Sequence, residues 1–220
     1  FRLGVIHTIG PYLLPDLIAS LRQVAPGVIL YIEESMTALL ADYLKYGNVD
    51  AAIVALPFEV PGVETRPLYD ELFQVVVPRG HALAQPGAAL TLERLAEFAL
   101  ITYESGYTGR THIDEAFGRR GLSLNIVLSA MDADVIKTYV ELGMGVGIIA
   151  SMAFDEARDS ALQAIDAGHL FAMNLTRVAV RRGAFLRAYA YEFIRCFAPP
   201  LTRARIEQAM ARSGGSSFDI

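Results

Sequence analysis

The chain predicts an α/β protein built mainly on parallel sheets, and three observations carry that prediction. Short apolar runs alternate with amphipathic helical patterns, the signature of strands joined by helical crossovers. The strand-to-helix junctions hold small, hydroxylated or acidic residues, as helix N-termini prefer. At 220 residues the chain is large for one compact domain and comfortable for two small ones.

The elements follow in order. Arg2–Ile6 reads as a strand, and Gly10–Val24 as a helix with Pro11 in its first turn, where a missing N–H costs little. Residues 27–32, GVILYI, read as a second strand. Thr37–Tyr46 is a helix closed by Gly47. Ala51–Ala55 is a third strand, which completes a βαβαβ unit. A second unit opens near residues 72–77, LFQVVV. Its helices are expected at 91–98, 110–120 and 133–142, and its later strands at 124–129 and 146–150. A strand at 177–180 precedes two closing helices, near 184–197 and 202–212. Residues 213–217, SGGSS, are flexible in composition. No internal repeat is evident.

The totals narrow the function classes. The net charge is −5 with no run of one sign, so the chain is a poor binder of nucleic acid by itself. No apolar run approaches the roughly 18 residues of a membrane span, and no secretory signal opens the chain. Phe1 leads directly into a strand, which suggests an excised domain. The lone Cys196 excludes an intrachain disulfide and fits a reducing cytosol.

Chemistry concentrates at the strand-to-helix turns. Thr8 serves either as a helix cap or as a hydroxyl donor to a ligand at the C-terminal sheet edge, where such folds bind ligands. Thr108, in Gly106-Tyr107-Thr108-Gly109-Arg110, faces the same choice. Arg110 would neutralise an anion or pair with a neighbouring acid. Ser129 and Asp132 flank a further turn, with Asp132 expected as a cap. His7, His81, His112 and His169 lack metal-ligand spacing, and Cys196 sits on an apolar helix face. Gly143-x-Gly145-x-Gly147 follows a helix and precedes a strand, the reverse of a dinucleotide fingerprint. No nucleophile–base pair, P-loop or catalytic acid pair is present in the pattern.

Two stretches resemble the LysR-type transcription regulators. Thr102-Tyr103, Gly106, Thr108-Gly109-Arg110, the run Asp132-Ala133-Asp134-Val135-Ile136-Lys137-Thr138-Tyr139-Val140, and Gly143–Met152 resemble the sulfur-assimilation (CysB-like) branch across residues 95–212. Leu3–Pro15, Tyr31-Ile32-Glu33-Glu34 and Ala52–Pro57 look like the peroxide-sensing (OxyR-like) branch across residues 1–80.

The resemblance implies two Rossmann-like subdomains joined by two crossovers, as in periplasmic binding proteins. The crossovers are expected near 67–69 and 173–176, so residues 1–68 with 176–220 form one subdomain and 69–175 the other. It implies the effector-binding part of a cytoplasmic regulator that self-associates as a dimer or tetramer. DNA would be touched only through an N-terminal helix-turn-helix that these residues lack. A small anionic effector, of the sulfate or O-acetylserine kind, would be held by Thr8 and Thr108, with His7, Ser129 and Arg110 as further contacts. No cofactor, metal or catalytic residue is implied. In the sulfur branch the first turn reads Thr-His-Thr-Gln; here it is Ile6-His7-Thr8-Ile9, and Ala55 stands where another ligand-contacting Thr is found. The peroxide branch works through two cysteines, and residues 70–175 contain none. A solute-binding protein, a two-lobed enzyme, and a recombined chain with no tuned effector stay open as alternatives.

Overall fold

The structure, a computed structural model, describes residues 1–87, 89–198 and 200–211. Arg212 and the Ser/Gly stretch 213–217 lie outside them. The strands are β1 (Arg2–Ile6), β2 (Tyr31–Ser35), β3 (Ala51–Ala55), β4 (Val63–Glu71), β5 (Phe73–Pro78), β6 (Leu100–Tyr103), β7 (Ile126–Ala130), β8 (Val146–Ala150), β9 (Leu162–Asp166) and β10 (Asn174–Arg181). The α-helices are α1 (Gly10–Val24), α2 (Thr37–Tyr46), α3 (Leu92–Ala96), α4 (Thr108–Arg119), α5 (Ala133–Glu141), α6 (Ala188–Phe197) and α7 (Arg203–Ala211).

Two five-stranded sheets result, ordered β2-β1-β3-β10-β4 and β7-β6-β8-β5-β9. The expected parallel pairing holds for β2-β1-β3 and for β7-β6-β8. The remaining two strands of each sheet are joined by antiparallel pairing, with β10 and β5 running against their neighbours on both sides, so both sheets are mixed. These antiparallel strands carry the chain between sheets: it leaves the first sheet from β4 into β5 and returns from β9 into β10.

The larger departures from the sequence reading occur at sheet edges, while the helix expected near 184–197 starts at Ala188 and the strand expected at 177–180 extends over Asn174–Arg181. Strand β2 begins four residues later than the apolar run at 27–32 suggests. Its register is set by β1, pairing Arg2 with Tyr31 and Ile6 with Ser35. As an edge strand it is largely exposed and tolerates Glu33 and Glu34. Strands β4 and β9, VETRPLYDE and LQAID, are too polar to announce themselves, and both are edges. Pro67 is accommodated because β4 has one free side and the ladder shifts register beside it.

Each lobe has its own core. In the first, Leu3, Val5 and Ile53 of the sheet pack with Leu14, Leu17 and Leu21 of α1, Leu40 and Leu44 of α2, and Phe193 of α6. The spacing in α1 (14, 17, 21) is the helical period that turns one face inward. In the second lobe, Phe73, Val75 and Val77 face Ile113 and Phe117 of α4. Val76, Ile101 and Ile149 face Ile136 and Val140 of α5. Alternation along β5 feeds both clusters, as a strand between two layers must. Tyr12 and Met36 of the first lobe pack against the second lobe's cluster, so the lobes touch.

Candidate functional site

Between the lobes lies a slot lined by Ile6, Thr8, Met36, Thr37, Ala55, Gly106, Tyr107, Thr108, Gly109 and Asn174. Its cavity volume is about 20 Å³, room for about one water molecule as the lobes stand. No charged side chain lines it. Helix starts lie in its wall instead. α2 and α4 both start in its wall, with Thr37 and Thr108 as their first residues, and Thr8 stands two residues ahead of α1. The first N–H groups of a helix have no internal partner and carry the positive end of its dipole.

These three helices share a second property. Their N-caps, Ile9, Met36 and Tyr107, make no side-chain cap hydrogen bond, and none has an acid in its first turn. At α3 and α5 the caps are made: Thr91 Oγ1 accepts from Arg94 N at 3.2 Å, and Asp132 Oδ1 from Val135 N at 3.0 Å, whereas α6, away from the slot, also starts without a side-chain cap or an acid in its first turn. Asp132 is thus a cap, as its sequence position suggests. Thr8 and Thr108 are not: each sits one residue away from the capping position. Among the described residues the hydroxyls of Thr8, Thr37 and Thr108 have no hydrogen-bond partner.

The walls are held close by small residues. Gly106 has φ +95°, and a Cβ there would meet Met36 Cε at 2.9 Å. Glycine alone suits both the left-handed backbone and the approach of the opposite lobe. A Cβ on Gly109 would lie 3.3 Å from Asn174 Nδ2 and 3.4 Å from Tyr103 Cδ2.

Of the sequence-predicted residues, the structure brings Thr8 and Thr108 together in the slot from opposite lobes. His7 stands beside them, its Nδ1 hydrogen-bonded with the Tyr107 hydroxyl at 3.3 Å across the lobes. Burial, then the charges of Glu104 and Asp132, push the Tyr107 pKa upward, so this phenol stays protonated. Arg110 and Ser129 are not in the lining. Arg110 donates from Nε to Asp114 Oδ1 at 2.8 Å and from Nη1 to the Tyr103 carbonyl at 3.1 Å and Ser129 Oγ at 3.5 Å. Its charge is used locally. Thr37 and Asn174 went unnoticed in the sequence. Thr37 opens a helix after a strand, like Thr8 and Thr108, so the same rule could have found it. Asn174 begins a strand and gave no signal. Among the described residues no group of three or more His, Cys, Asp or Glu side chains is placed to hold a metal, and no helix is long and apolar enough to cross a membrane.

Two mixed sheets with a narrow slot between them, walled by helix N-termini, define a two-lobed domain of the periplasmic-binding-protein kind. The chain belongs to the LysR substrate binding domain family, which matches residues 1–199. It is 46% identical over 201 residues to the HTH-type transcriptional regulator SsuR of Burkholderia cenocepacia, covering 91% of this chain and 65% of the relative. It is 42% identical over 219 residues to CysB of the same organism, covering 99% and 69%. The crystal structure of the cofactor-binding domain of the Cbl transcriptional regulator is 36% identical, with TM-score 0.89 over 96% of this chain and 93% of that one. A reduced form of OxyR from N. meningitidis is 33% identical, with TM-score 0.75 over 95% and 94%. Both branches of the sequence resemblance therefore recur among the relatives. The chain spans about two thirds of the length of the curated relatives it matches.

Proposed function

We propose that this chain is the effector-sensing part of a LysR-type transcription regulator and that its ligand is a small anion seated in the slot. The observation that carries this is the convergence of three helix starts with neither acidic nor side-chain caps on one uncharged slot. Thr8 and Thr108 donate to the anion from opposite lobes, with Thr37 beside them. His7 supports the wall through Tyr107, and Arg110 and Ser129 act at its outer margin.

The ligand shifts the equilibrium between open and closed lobes, and this movement is transmitted to DNA-binding heads in a full-length dimer or tetramer. DNA contact belongs to a helix-turn-helix outside these residues. The two moving bodies are proposed to be residues 1–71 with 174–211 and residues 72–173, two or three residues away from the expected 1–68 with 176–220 and 69–175, because β4 and β10 pair in the first sheet from Glu71–Asn174 onward. Sulfate and O-acetylserine-like anions are the candidate effectors, in keeping with the SsuR, CysB and Cbl relatives, and the setting is cytoplasmic. A binding role, not an enzymatic one, is in keeping with relatives that are named as transcriptional regulators.

Calorimetric titration with sulfate, thiosulfate and O-acetylserine tests the reading. A ligand present at about 100 times its Kd should raise stability by about 2.7 kcal/mol. Thr108→Ala should weaken that ligand by about 1.5–3 kcal/mol, because a hydrogen bond to a charged acceptor is lost. Thr8→Ala should cost less, because Ile6 and Ile9 leave its turn with a single side-chain donor. Unchanged affinity in Thr108→Ala, with folding intact, rejects the site.

A further inference from the structure

Three buried side-chain atoms lack a hydrogen-bond partner among the described residues: Gln74 Oε1, His112 Nδ1 and Asn174 Oδ1. Only Asn174 of the three lines the slot. It sits at the start of β10, where the chain returns to the first sheet, and is 8% exposed. Its amide nitrogen lies toward the backbone of Gly109 in the opposite wall. Its oxygen is left buried, an acceptor with nothing to accept. Leaving such a group unpaired is costly, and a ligand that supplies a donor recovers the loss.

The geometry points to Asn174 as the specificity-determining residue of the slot, selecting an anion that carries its own hydroxyl or N–H donor over an oxyanion that only accepts. This rests on the slot being the anion site. The other lining groups can all donate: the helix-start N–H groups, and the hydroxyls of Thr8, Thr37 and Thr108, which also accept. They suit any oxyanion equally and cannot discriminate. Asn174 Oδ1 is different. Facing an acceptor-only anion, it stays unpaired and meets a second electron-rich oxygen at close range. Facing an anion with an O–H or N–H, it completes a hydrogen bond. A site built around such an acceptor penalises the ligand that lacks the donor far more than a missing methyl group would be penalised.

Sulfate and monohydrogen phosphate make the test. At mildly alkaline pH both are tetrahedral dianions of nearly the same size, and only phosphate carries an O–H. Each is titrated calorimetrically at matched ionic strength into the 220-residue chain and into Thr108→Ala, Asn174→Leu and Asn174→Asp. Wild type should favour phosphate by about tenfold or more, the effect of one hydrogen bond to a charged group. Asn174→Leu should bring the ratio to within about threefold, with unliganded stability kept or raised, because an unpaired amide has been replaced by an apolar group. Asn174→Asp retains an acceptor, so both anions should weaken while the phosphate preference survives. Equal or sulfate-favouring affinity in wild type overturns the assignment. So does a preference unchanged in Asn174→Leu, or a loss of unliganded stability in that variant with the ratio untouched. If Thr108→Ala leaves binding of both anions unaltered, the slot itself is not the anion site and the underlying reading falls with it.

Discussion

The Tyr12 hydroxyl, near the start of α1, donates to Asp134 Oδ1 in the first turn of α5 at 3.0 Å, joining residues 122 apart in sequence and lying in different lobes. The same carboxylate pairs with Lys137 Nζ at 3.0 Å, and that ammonium lies over the Tyr12 ring, 5.6 Å from its centroid. Lys137 also reaches Asp159 Oδ2 at 3.0 Å and the Ala153 carbonyl at 2.8 Å. One buried cation thus organises an inter-lobe clasp. Burial, followed by the Asp134 charge and hydrogen bond, drives the Tyr12 pKa far above its usual value, so the phenol remains a donor throughout the working pH range. For Asp134, burial raises the pKa, but the Lys137 hydrogen bond and charge outweigh it and the net shift is downward.

Tyr12→Phe removes the bridging hydroxyl and keeps the ring on Lys137. Asp134 is about half exposed, so the loss should be modest, about 1 kcal/mol in urea unfolding. The larger effect should be local. Amide exchange should speed up at the start of α1 and in α5, while the strands of both cores keep their protection. Uniform acceleration across both lobes would mean that the contact supports global folding and is not a clasp.

Lys137→Met should be severe. Asp159 is 10% exposed at its side chain and would be left as a buried carboxylate without its cation. Breaking such a pair costs about 3–5 kcal/mol. The double variant Lys137→Met/Asp159→Asn removes the stranded charge and keeps an acceptor for Asp155 N. It should recover part of that loss, and a double-mutant cycle in denaturant measures the coupling. Additive losses would show that the two side chains act independently.

The sequence revealed most where its pattern repeats. The helical period of Leu14, Leu17 and Leu21 and the apolar runs of β1, β3 and β8 marked the core elements, because burial there is dictated by side chains. Edge strands β4 and β9 were hidden, since their pairing rests on backbone groups that composition does not report. Thr8 and Thr108 were visible because a hydroxyl before a helix is a local signal. Their freedom from capping was not, because it depends on a shift of one residue in where each helix begins. Asn174 and the Tyr12–Asp134 contact join distant segments, and only the assembled fold places them.

Cys196 should resist oxidation and alkylation near neutral pH. Burial raises its thiol pKa above the ordinary value, with Glu192 adding to the rise and Arg195 opposing it. Little thiolate is present until the pH exceeds that raised value, so iodoacetamide labelling should be slow at neutral pH and climb steeply in alkali. Peroxide should yield no intrachain disulfide, since the chain has one cysteine. Mass spectrometry after timed exposure reads both, and rapid labelling at neutral pH would contradict the packing assigned to this side chain.

Glu71 sits where the chain crosses from β4 into β5, 3% exposed. Its Oε1 accepts from Ser151 Oγ at 2.6 Å and Met152 N at 3.1 Å, and Ser151 N donates to the Leu72 carbonyl at 2.9 Å. The crossing is thereby fastened to the end of β8. Burial pushes the Glu71 carboxyl upward, and its hydrogen bonds from Ser151 and Met152 offset this only in part. A folded pKa above the unfolded one gives stability that is complete below the unfolded pKa, about 4.3, and is lost as pH rises through the folded pKa. The wild type therefore carries a penalty at neutral pH that disappears in mild acid. Glu71→Gln keeps an acceptor for both donors and has no charge to desolvate. It should be more stable than wild type at neutral pH, and the two should converge as pH falls toward the unfolded value. Glu71→Ala should instead lose about 1–3 kcal/mol, because the Ser151 and Met152 donors are left unpaired. Urea unfolding of all three chains across this pH range decides the matter. Parallel wild-type and Glu71→Gln curves would show that the carboxylate is not held in its disfavoured charged state at neutral pH.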